Sequence, residues 1–397
     1  MEPREIQGIY GGIGGRRGNR GVPAMRAEVI DLSEYPLFTL SIARELLPRV
    51  WEILRRGNPI KFYGSLERLQ LLRFVSGMEF DSIERSVARH EPVMVQEVLR
   101  TFEPLEGKVL IDATCGLGGH TKALSEGVGP RGLILAIEKD PESLQRAKEK
   151  IDSANVLFYR GSFAEMKEAV KELGIGPVDG VLFDLGLSSF LLEGSGRGFS
   201  FRRDEPLDMR FDPSSGRPAS YYINKLRVEE LESVIRLLGE ERFARRIARA
   251  IREERDAAPL ERTADLNRAI ERAVRRQHLL KAKMRVYQAF RILVNDELAT
   301  LKEGLLQALQ VLKQGGIIAV ISYHSLEDRI VKTLSKLPGV EALYKKPLVP
   351  SDEEIVRNRR ARSARLRAIK KVGDIDEALF DRIVGAVVPS PLPRPAE

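Results

Sequence analysis

The run Asp112-Ala113-Thr114-Cys115-Gly116-Leu117-Gly118-Gly119-His120 is the first place where residue type and spacing point to chemistry. It lies between an apolar segment, VLIDA (109–113), and a helix-like stretch. Gly116, Gly118 and Gly119 let the backbone turn tightly and approach a ligand without Cβ interference. Glu138 ends the next apolar segment, LILAIE (133–138), 19 residues beyond Gly119. An acid about 20 residues past such a loop can accept hydrogen bonds from both hydroxyls of an adenosine ribose. A ligand-free strand-to-helix turn is the simpler alternative. Loop, acid and strand alternation together favour an adenosine cofactor. G-L-G-G-H departs from the G-x-G-x-x-G of dinucleotide sites, and no G-K-[ST] follows to make a P-loop. The common adenosine cofactor that remains is S-adenosylmethionine, its methionine part lying over the loop. Asp140 and Pro141 read as a helix N-cap and first helical position.

The elements that must position these residues are legible. VLIDA, LILAIE, VLFYR (156–160), VDGVLFDL (178–185) and IIAVISYH (317–324) read as strands, alternating with helical stretches such as 141–151. That alternation predicts an α/β fold, a doubly wound and mainly parallel sheet. Between Arg197 and Arg285 the strand signal disappears, and helical segments from Val228 to Arg255 and from Thr263 to Arg276 suggest an inserted domain. The expected organisation is an extension at 1–89, a first catalytic part at 90–196, an insertion at 197–287, and a second part with a basic tail at 288–397. Within the extension, 1–26 is Gly/Arg-rich and expected to be loose, while 38–56 and 64–88 read as short amphipathic helices.

Composition narrows the function classes. The charge is +8, and it is uneven: residues 90–224 hold 16 basic and 21 acidic side chains, whereas 225–285 hold 17 and 11. A single cysteine excludes a disulfide framework and fits a reducing compartment, so the cytoplasm is the expected location. Four scattered histidines offer no zinc pattern, and no metal is expected. No apolar run is long enough for a membrane span.

Several further motifs occur in one order: HEPVMVQEVL (90–99), DATCGLGGH (112–120), DGVLFDLGLSS (179–189), RGFSF (197–201), PLDMRFD (206–212), GEER (239–242), QAFRILVNDEL (288–298), SYHSLEDRIVK (322–332) and NRRARSARLR (358–367). Together they resemble the RsmH/MraW family, the small-subunit ribosomal RNA cytosine-N4 methyltransferases, from about His90 to Lys371. The resemblance implies a class I, Rossmann-like methyltransferase sheet with an inserted helical domain. It implies methyl transfer from S-adenosylmethionine to a cytidine N4 amine, with small-subunit RNA or the small ribosomal subunit as partner. Gly118, Gly119, His120, Glu138, Phe163 and Asp184 fall on the family's cofactor contacts; Gly116 belongs to the same loop. Glu138 stands where the family usually has Asp. Phe190-Leu191 replace a Pro-Gln, and Met284-Arg285-Val286 replace a Pro-Ala-Thr. With the extension, these departures mark a divergent branch. Residues 1–89 are open to two readings, a ribosome-docking segment or a homodimer contact.

The cytidine amine is a weak nucleophile, because its lone pair is delocalised into the ring. Transfer needs in-line positioning and an acceptor for the N4 hydrogens. Asp184 ends a strand where such folds bind ligands, and has two open roles: holding the cofactor's methionine amine, or accepting from N4. The alternative is a carboxylate capping the following turn. Ser188, in the same run, joins it as a catalytic candidate. Asp208, in a Pro- and Gly-flanked loop, is read as a second acceptor or as an ordinary turn aspartate. Phe163 is expected against the adenine or in the core. His324 and Glu327 are expected to line the site, with Ser325 and Asp328 as a capping box. Cys115, inside the cofactor loop, is not expected to act as a thiol nucleophile.

For RNA, Arg242, Arg245, Arg246, Arg249 and Arg252 repeat along one helical face, opposite Phe243, Ile247, Ala250 and Ile251. They form a candidate phosphate track; the alternative is a solvated face paired as Glu241 with Arg245. Gln288, Arg291 and Asn295 share another face and are expected at the site mouth. The tail 357–371 has eight basic residues and is a further RNA candidate. A flipped target base needs a clamp, for which Phe199, Phe201 and Phe211 stand nearby, hydrophobic loop anchoring being the plainer reading. The rival functions are a DNA cytosine methyltransferase, a methyltransferase on another RNA, a non-catalytic RNA-binding assembly factor that retains the fold, and an NAD enzyme.

Overall fold

Residues 28–31, 60–63 and 92–389 are described in a computed structural model. The chain divides into two compact units, Met1–Arg89 and His90–Glu397. In the first, strands β1 (Glu28–Asp31) and β2 (Ile60–Tyr63) pair in parallel, with Glu28 opposite Ile60. The expectations for 1–26, 38–56 and 64–88 lie outside the described residues.

The second unit begins with helix α1 (Val95–Thr101) and is built on a seven-stranded sheet. Its first five strands are β3 (Val109–Asp112), β4 (Leu133–Glu138), β5 (Val156–Arg160), β6 (Val178–Asp184) and β7 (Leu312–Ser322). They pair in parallel in the order β5-β4-β3-β6-β7. Two antiparallel strands, β8 (Val340–Ala342) and β9 (Arg365–Lys371), finish the sheet beside β7. Successive residues serve opposite faces, as the pleat requires. Ile111, Leu135 and Phe183 join one apolar cluster, while Leu110, Ile134 and Leu182 join the other. This is the class I methyltransferase fold.

The connecting helices are α2 (Gly119–Val128), α3 (Pro141–Lys150) and α4 (Met166–Glu172). After β6 a short helix, α5 (Ser189–Glu193), leads into a long helical excursion. It comprises α6 (Ala219–Lys225), α7 (Val228–Leu237), α8 (Ala244–Ala257), α9 (Thr263–Ala273) and α10 (Arg276–Asn295). The stretch read as one helix from Val228 to Arg255 is two, because the chain turns at Gly239 and at Glu240, which has φ 48°. The chain then returns through α11 (Glu297–Val311) to β7 and α12 (Ser325–Leu334). Leu231, Ile247, Leu266 and Phe290 of the excursion belong to the same apolar cluster as the sheet residues Ile111 and Phe183. The last helices are α13 (Asp352–Arg357) and α14 (Glu377–Gly385).

Candidate active site

The glycine loop joins β3 to α2. Gly116 and Gly118 take φ of 55° and 79°, conformations that L side chains avoid. The three glycines have different duties. A Cβ on Gly118 would lie 2.5 Å from Ile151 Cδ1, and one on Gly119 would lie 2.9 Å from Pro92 Cβ. A Cβ on Gly116 would meet nothing nearer than Thr114 O at 3.9 Å, so that position borders open space. Below the loop, the fully buried Asp112 accepts from Thr121 Oγ1 at 2.6 Å and from the Thr114 N–H at 3.2 Å. Burial raises the Asp112 carboxyl, against the lowering influence of His120 and these hydrogen bonds. Cys115 is also buried, and burial raises its thiol well above the ordinary range, which disfavours the thiolate.

Glu138 stands at the end of β4, next to this loop. Its Oε2 accepts from the Gly116 N–H at 2.7 Å and its Oε1 from the Asp140 N–H at 2.8 Å. Burial pushes its carboxyl up to about 7, although those two hydrogen bonds pull the other way. Asp140 caps α3, accepting from Ser143 N–H at 3.1 Å and Ser143 Oγ at 2.6 Å. A loop with open space at Gly116 and a carboxylate on an adjacent strand fits an adenosine-bearing cofactor.

Asp184 ends β6 on the other side of the loop. Its backbone N–H donates to Thr114 Oγ1 at 2.6 Å, tying the two strand ends together. Its Oδ1 accepts from Tyr323 Oη at 2.8 Å and from the Gly186 N–H at 3.3 Å. Its Oδ2 lies 3.5 Å from His120 Nδ1, while His120 Nε2 is 2.9 Å from the Val93 carbonyl. Tyr323 is half-buried beside this carboxylate, and both desolvation and Asp184 raise its phenol well above the ordinary range. Sequence reasoning passed over Tyr323: a tyrosine ending an apolar strand looks like core. Phe163 makes an edge-on contact with Phe183, centroids 5.4 Å apart, and lies over Gly304 of α11.

Beyond β7 lies a second polar cluster. His324 caps α12, and Glu327 Oε2 accepts from the Tyr323 N–H at 2.8 Å and the His324 N–H at 3.3 Å. The capping pair is therefore His324 with Glu327, not Ser325 with Asp328. His324 Nε2 is 3.0 Å from Glu327 Oε1 but makes no aligned hydrogen bond. Arg291 grips Glu297 with two hydrogen bonds of 2.7 and 2.8 Å. Despite burial, which raises it, the Glu327 carboxyl is held below its ordinary value by His324 and Arg291. Glu297, His324 and Glu327 could converge on a metal ion, their ligand atoms lying within 4.8 Å of one another. The Arg291 guanidinium supplies positive charge beside Glu297 and Glu327, so these side chains stand as a partly buried ion-pair network.

Other sequence candidates have structural duties. Both oxygens of Asp208 accept from Arg210, from Nε at 2.9 Å and Nη2 at 2.7 Å. Ser188 caps α5 by accepting from the Leu191 N–H at 3.1 Å. Asn295 donates to Met209 O at 2.8 Å and accepts from Phe211 N–H at 2.8 Å, fixing the 206–212 loop. Phe199 stacks on Phe211 with centroids 5.8 Å apart, and Phe201 meets Tyr287 edge-on. Arg197 is a structural residue the sequence did not reveal. Its guanidinium donates to Asp140 at 3.1 Å, Glu142 at 2.8 Å and Phe211 O at 2.9 Å, locking the excursion to the start of α3.

A family model described as the MraW methylase family matches residues 87–372. The chain belongs to this family. A relative from Syntrophotalea carbinolica, named ribosomal RNA small subunit methyltransferase H, is 44% identical over 312 residues, covering 72% of this chain and 99% of that protein. One of the same name from Persephonella marina is 42% identical over 296 residues, covering 72% of this chain and all of that one. The solved structure of an rRNA methylase from Streptococcus thermophilus aligns over 68% of this chain and 92% of its own, with TM-score 0.32 and 11% identity. As an MraW methylase on a class I fold, with a loop and a carboxylate that fit an adenosine, the chain takes S-adenosylmethionine as its cofactor.

On the outer surface of this MraW methylase, Arg242, Arg245, Arg246, Arg249 and Arg252 are all exposed, while Ala244, Ile247, Ala248 and Ile251 of α8 are buried. Glu241 pairs with Arg285 at 3.3 Å instead of with Arg245. At least half of the basic side chains of the tail are occupied within the fold. Arg365 and Arg367 bind Asp328, Arg360 binds Glu193, and Lys371 donates to the Leu309 and Leu312 carbonyls. Among the described residues, no helix is long and apolar enough to cross a membrane.

Proposed function

We propose that this MraW methylase acts in the cytoplasm on small-subunit ribosomal RNA, transferring a methyl group from S-adenosylmethionine to the N4 amine of a cytidine. The observation that carries this reading is the juxtaposition of Asp184 with the glycine loop: Thr114 ties the strand ends, and Tyr323, Gly186 and His120 fix the carboxylate at the crevice. The small-subunit RNA named for its relatives fits the exposed arginines of the inserted segment 197–287, which we assign to substrate binding.

When bound, S-adenosylmethionine supplies an electrophilic methyl on a sulfonium. The protein's part is positioning and charge. Gly116 leaves room for the cofactor, Gly118 and Gly119 hold the loop against α3 and Pro92, and Glu138 would accept from the ribose hydroxyls. Phe163, packed on Phe183, would border the adenine. Asp184 can attract the cofactor's ammonium or accept a hydrogen from the target amine, and its fixed orientation serves either role. Asp208 is committed to Arg210, which favours Asp184 over Asp208 as the group nearest the amine. Ser188 and Asn295 hold the surrounding loops, while His324 and Arg291 form the wall at the end of β7.

The test is nucleoside mass spectrometry of small-subunit RNA incubated with the protein and S-adenosylmethionine. We expect N4-methylcytidine, and expect Asp184→Asn to abolish it with the fold intact. An unchanged cytidine pool, or methyl groups on another atom, would refute the assignment.

A further inference from the structure

A cleft of about 390 Å3 opens between the 241–243 turn and one face of α10, lined by Glu241, Arg242, Phe243, His278, Lys281 and Arg285. His278, Lys281 and Arg285 follow one another at helical spacing, so α10 presents them side by side. None of the residues that hold the cofactor loop or Asp184 lines it.

Its charge is one-sided. Arg242, Lys281 and Arg285 face a single carboxylate, Glu241, which is 2% exposed. That carboxylate is occupied: Oε1 accepts from the Phe243 N–H at 2.9 Å, and Oε2 lies 3.3 Å from Arg285 Nη1. Arg285 is thus held by Glu241, and Arg242 is also ordered in advance. The Arg242 guanidinium lies 4.6 Å from the centre of the Phe243 ring and donates to His278 Nε2 at 3.0 Å. Gln277 donates to the same nitrogen at 3.1 Å, so Nε2 is the acceptor in this pair. The Phe243 and His278 rings lie 5.5 Å apart, and Arg246 approaches Phe243 at 5.8 Å. A guanidinium stacked on a ring and pinned at one edge keeps its other N–H groups free for a planar or tetrahedral oxyanion, with little entropy left to lose.

The cleft is also rigidly connected to the β7 end of the site. A Cβ on Gly239 would lie 2.6 Å from Arg285 O, so only glycine lets the turn pack on α10. The next residue, Glu240, binds Arg329 at 2.8 Å and accepts from Ser325 in the first turn of α12, the helix capped by His324.

We infer that this cleft is an anchoring site for a backbone phosphate of the RNA substrate, gripped by Arg242, Lys281 and Arg285 at a fixed offset from the crevice. The inference rests on the RNA-methyltransferase reading above and adds a defined contact to it. Phosphate contacts fix register without reading sequence, which suits an enzyme that must present one cytidine to one methyl group.

The variant that tests this is Arg242→Ala with Lys281→Ala; both side chains are exposed, and Arg285 is kept so that Glu241 stays paired. Binding to a small-subunit RNA transcript is measured from 50 to 200 mM KCl, alongside S-adenosylmethionine affinity as a check on folding. Losing one phosphate contact lowers the slope of log K against log salt by about 0.7–0.9 and weakens RNA binding about fivefold to tenfold at 0.1 M salt. Lys167→Ala with Lys171→Ala removes two exposed cations elsewhere and is expected to leave the slope unchanged. Equal slopes for wild type and the cleft variant, or the same fall in the control, overturn the inference. So does competition by polyglutamate with the same dependence on Arg242 and Lys281, which points to an acidic polypeptide instead. If the wild type binds RNA with this dependence but methylates no cytidine, the cleft stands and the proposed reaction falls.

Discussion

At the residue scale, the turn of the glycine loop and the acid beside it were readable, and the partners of the loop and helix polar residues were not. Glycines that must adopt positive φ and an acid at the end of the next strand announce themselves by type and spacing, and Gly116, Gly118 and Glu138 lie where that logic puts them. Asp208 and Asn295 were legible as polar residues in a loop and on a helix. Whether their donors and acceptors were free depended on Arg210 and on the 206–212 backbone, which only the folded chain brings to them. Glu138 gives a prediction. Its carboxyl, ordinarily near 4.5, is raised by burial to about 7, so the folded state holds a proton that the unfolded chain has released. Between those values, rising pH therefore lowers stability, and full ionisation is reached only above about 7. Ribose hydroxyls donate best to the ionised form. The affinity for S-adenosylmethionine should thus rise with pH, being about tenfold weaker at pH 6 than at pH 8. Calorimetry across that range checks it, with Glu138→Gln flattening the curve. A wild-type affinity flat from pH 6 to 8 would remove Glu138 from the ribose site.

At the element scale, the parallel strands declared themselves as short runs of Val, Ile and Leu, because a strand buried on both faces has no other composition available. Strand β9 was hidden by its charges. Arg365-Leu366-Arg367-Ala368 alternates with period 2, Leu366 and Ala368 turning inward while both arginines bind Asp328. Read as a basic run, it looked like an RNA tail; read for alternation, it is an edge-region strand with its cations already used. The excursion from β6 is secured in a way no periodicity could reveal. Arg197, from the loop after α5, reaches the N-cap of α3, and the side chains of Arg197 and Asp140 are 8% and 0% exposed. Breaking a buried pair by removing one partner costs about 3–5 kcal/mol, since the remaining charge is stranded. Arg197→Ala should therefore lower the melting temperature by several degrees. Adding Asp140→Asn should recover part of the loss, because the stranded charge goes with it. If the single variant melts like wild type, Arg197 does not anchor the excursion. If the two losses merely add, the pair is not what couples loop to helix.

At the scale of the whole molecule, the sequence divides twice, and the two divisions differ in kind. The helical excursion is continuous in sequence, yet Leu231, Ile247 and Leu266 share an apolar cluster with the sheet, so its removal would open the core. Residues 1–89 form a separate compact unit. The relatives from Syntrophotalea carbinolica and Persephonella marina are covered over 99% and 100% of their lengths by 72% of this chain. Nearly the whole length of each relative thus aligns with part of this chain, and the matched family region here begins at residue 87. A chain beginning at residue 87 should therefore fold and bind S-adenosylmethionine with an affinity within about twofold of the full chain, since 0.4 kcal/mol separates factors of two. Calorimetry on both chains gives the comparison. RNA binding is the property free to change, because residues 1–86, which the shortened chain lacks, carry a basic excess of 13 over 11. Loss of cofactor binding on shortening would show that the first unit completes the methyltransferase. Retained cofactor binding with a smaller salt dependence for RNA would place the extension on the substrate side.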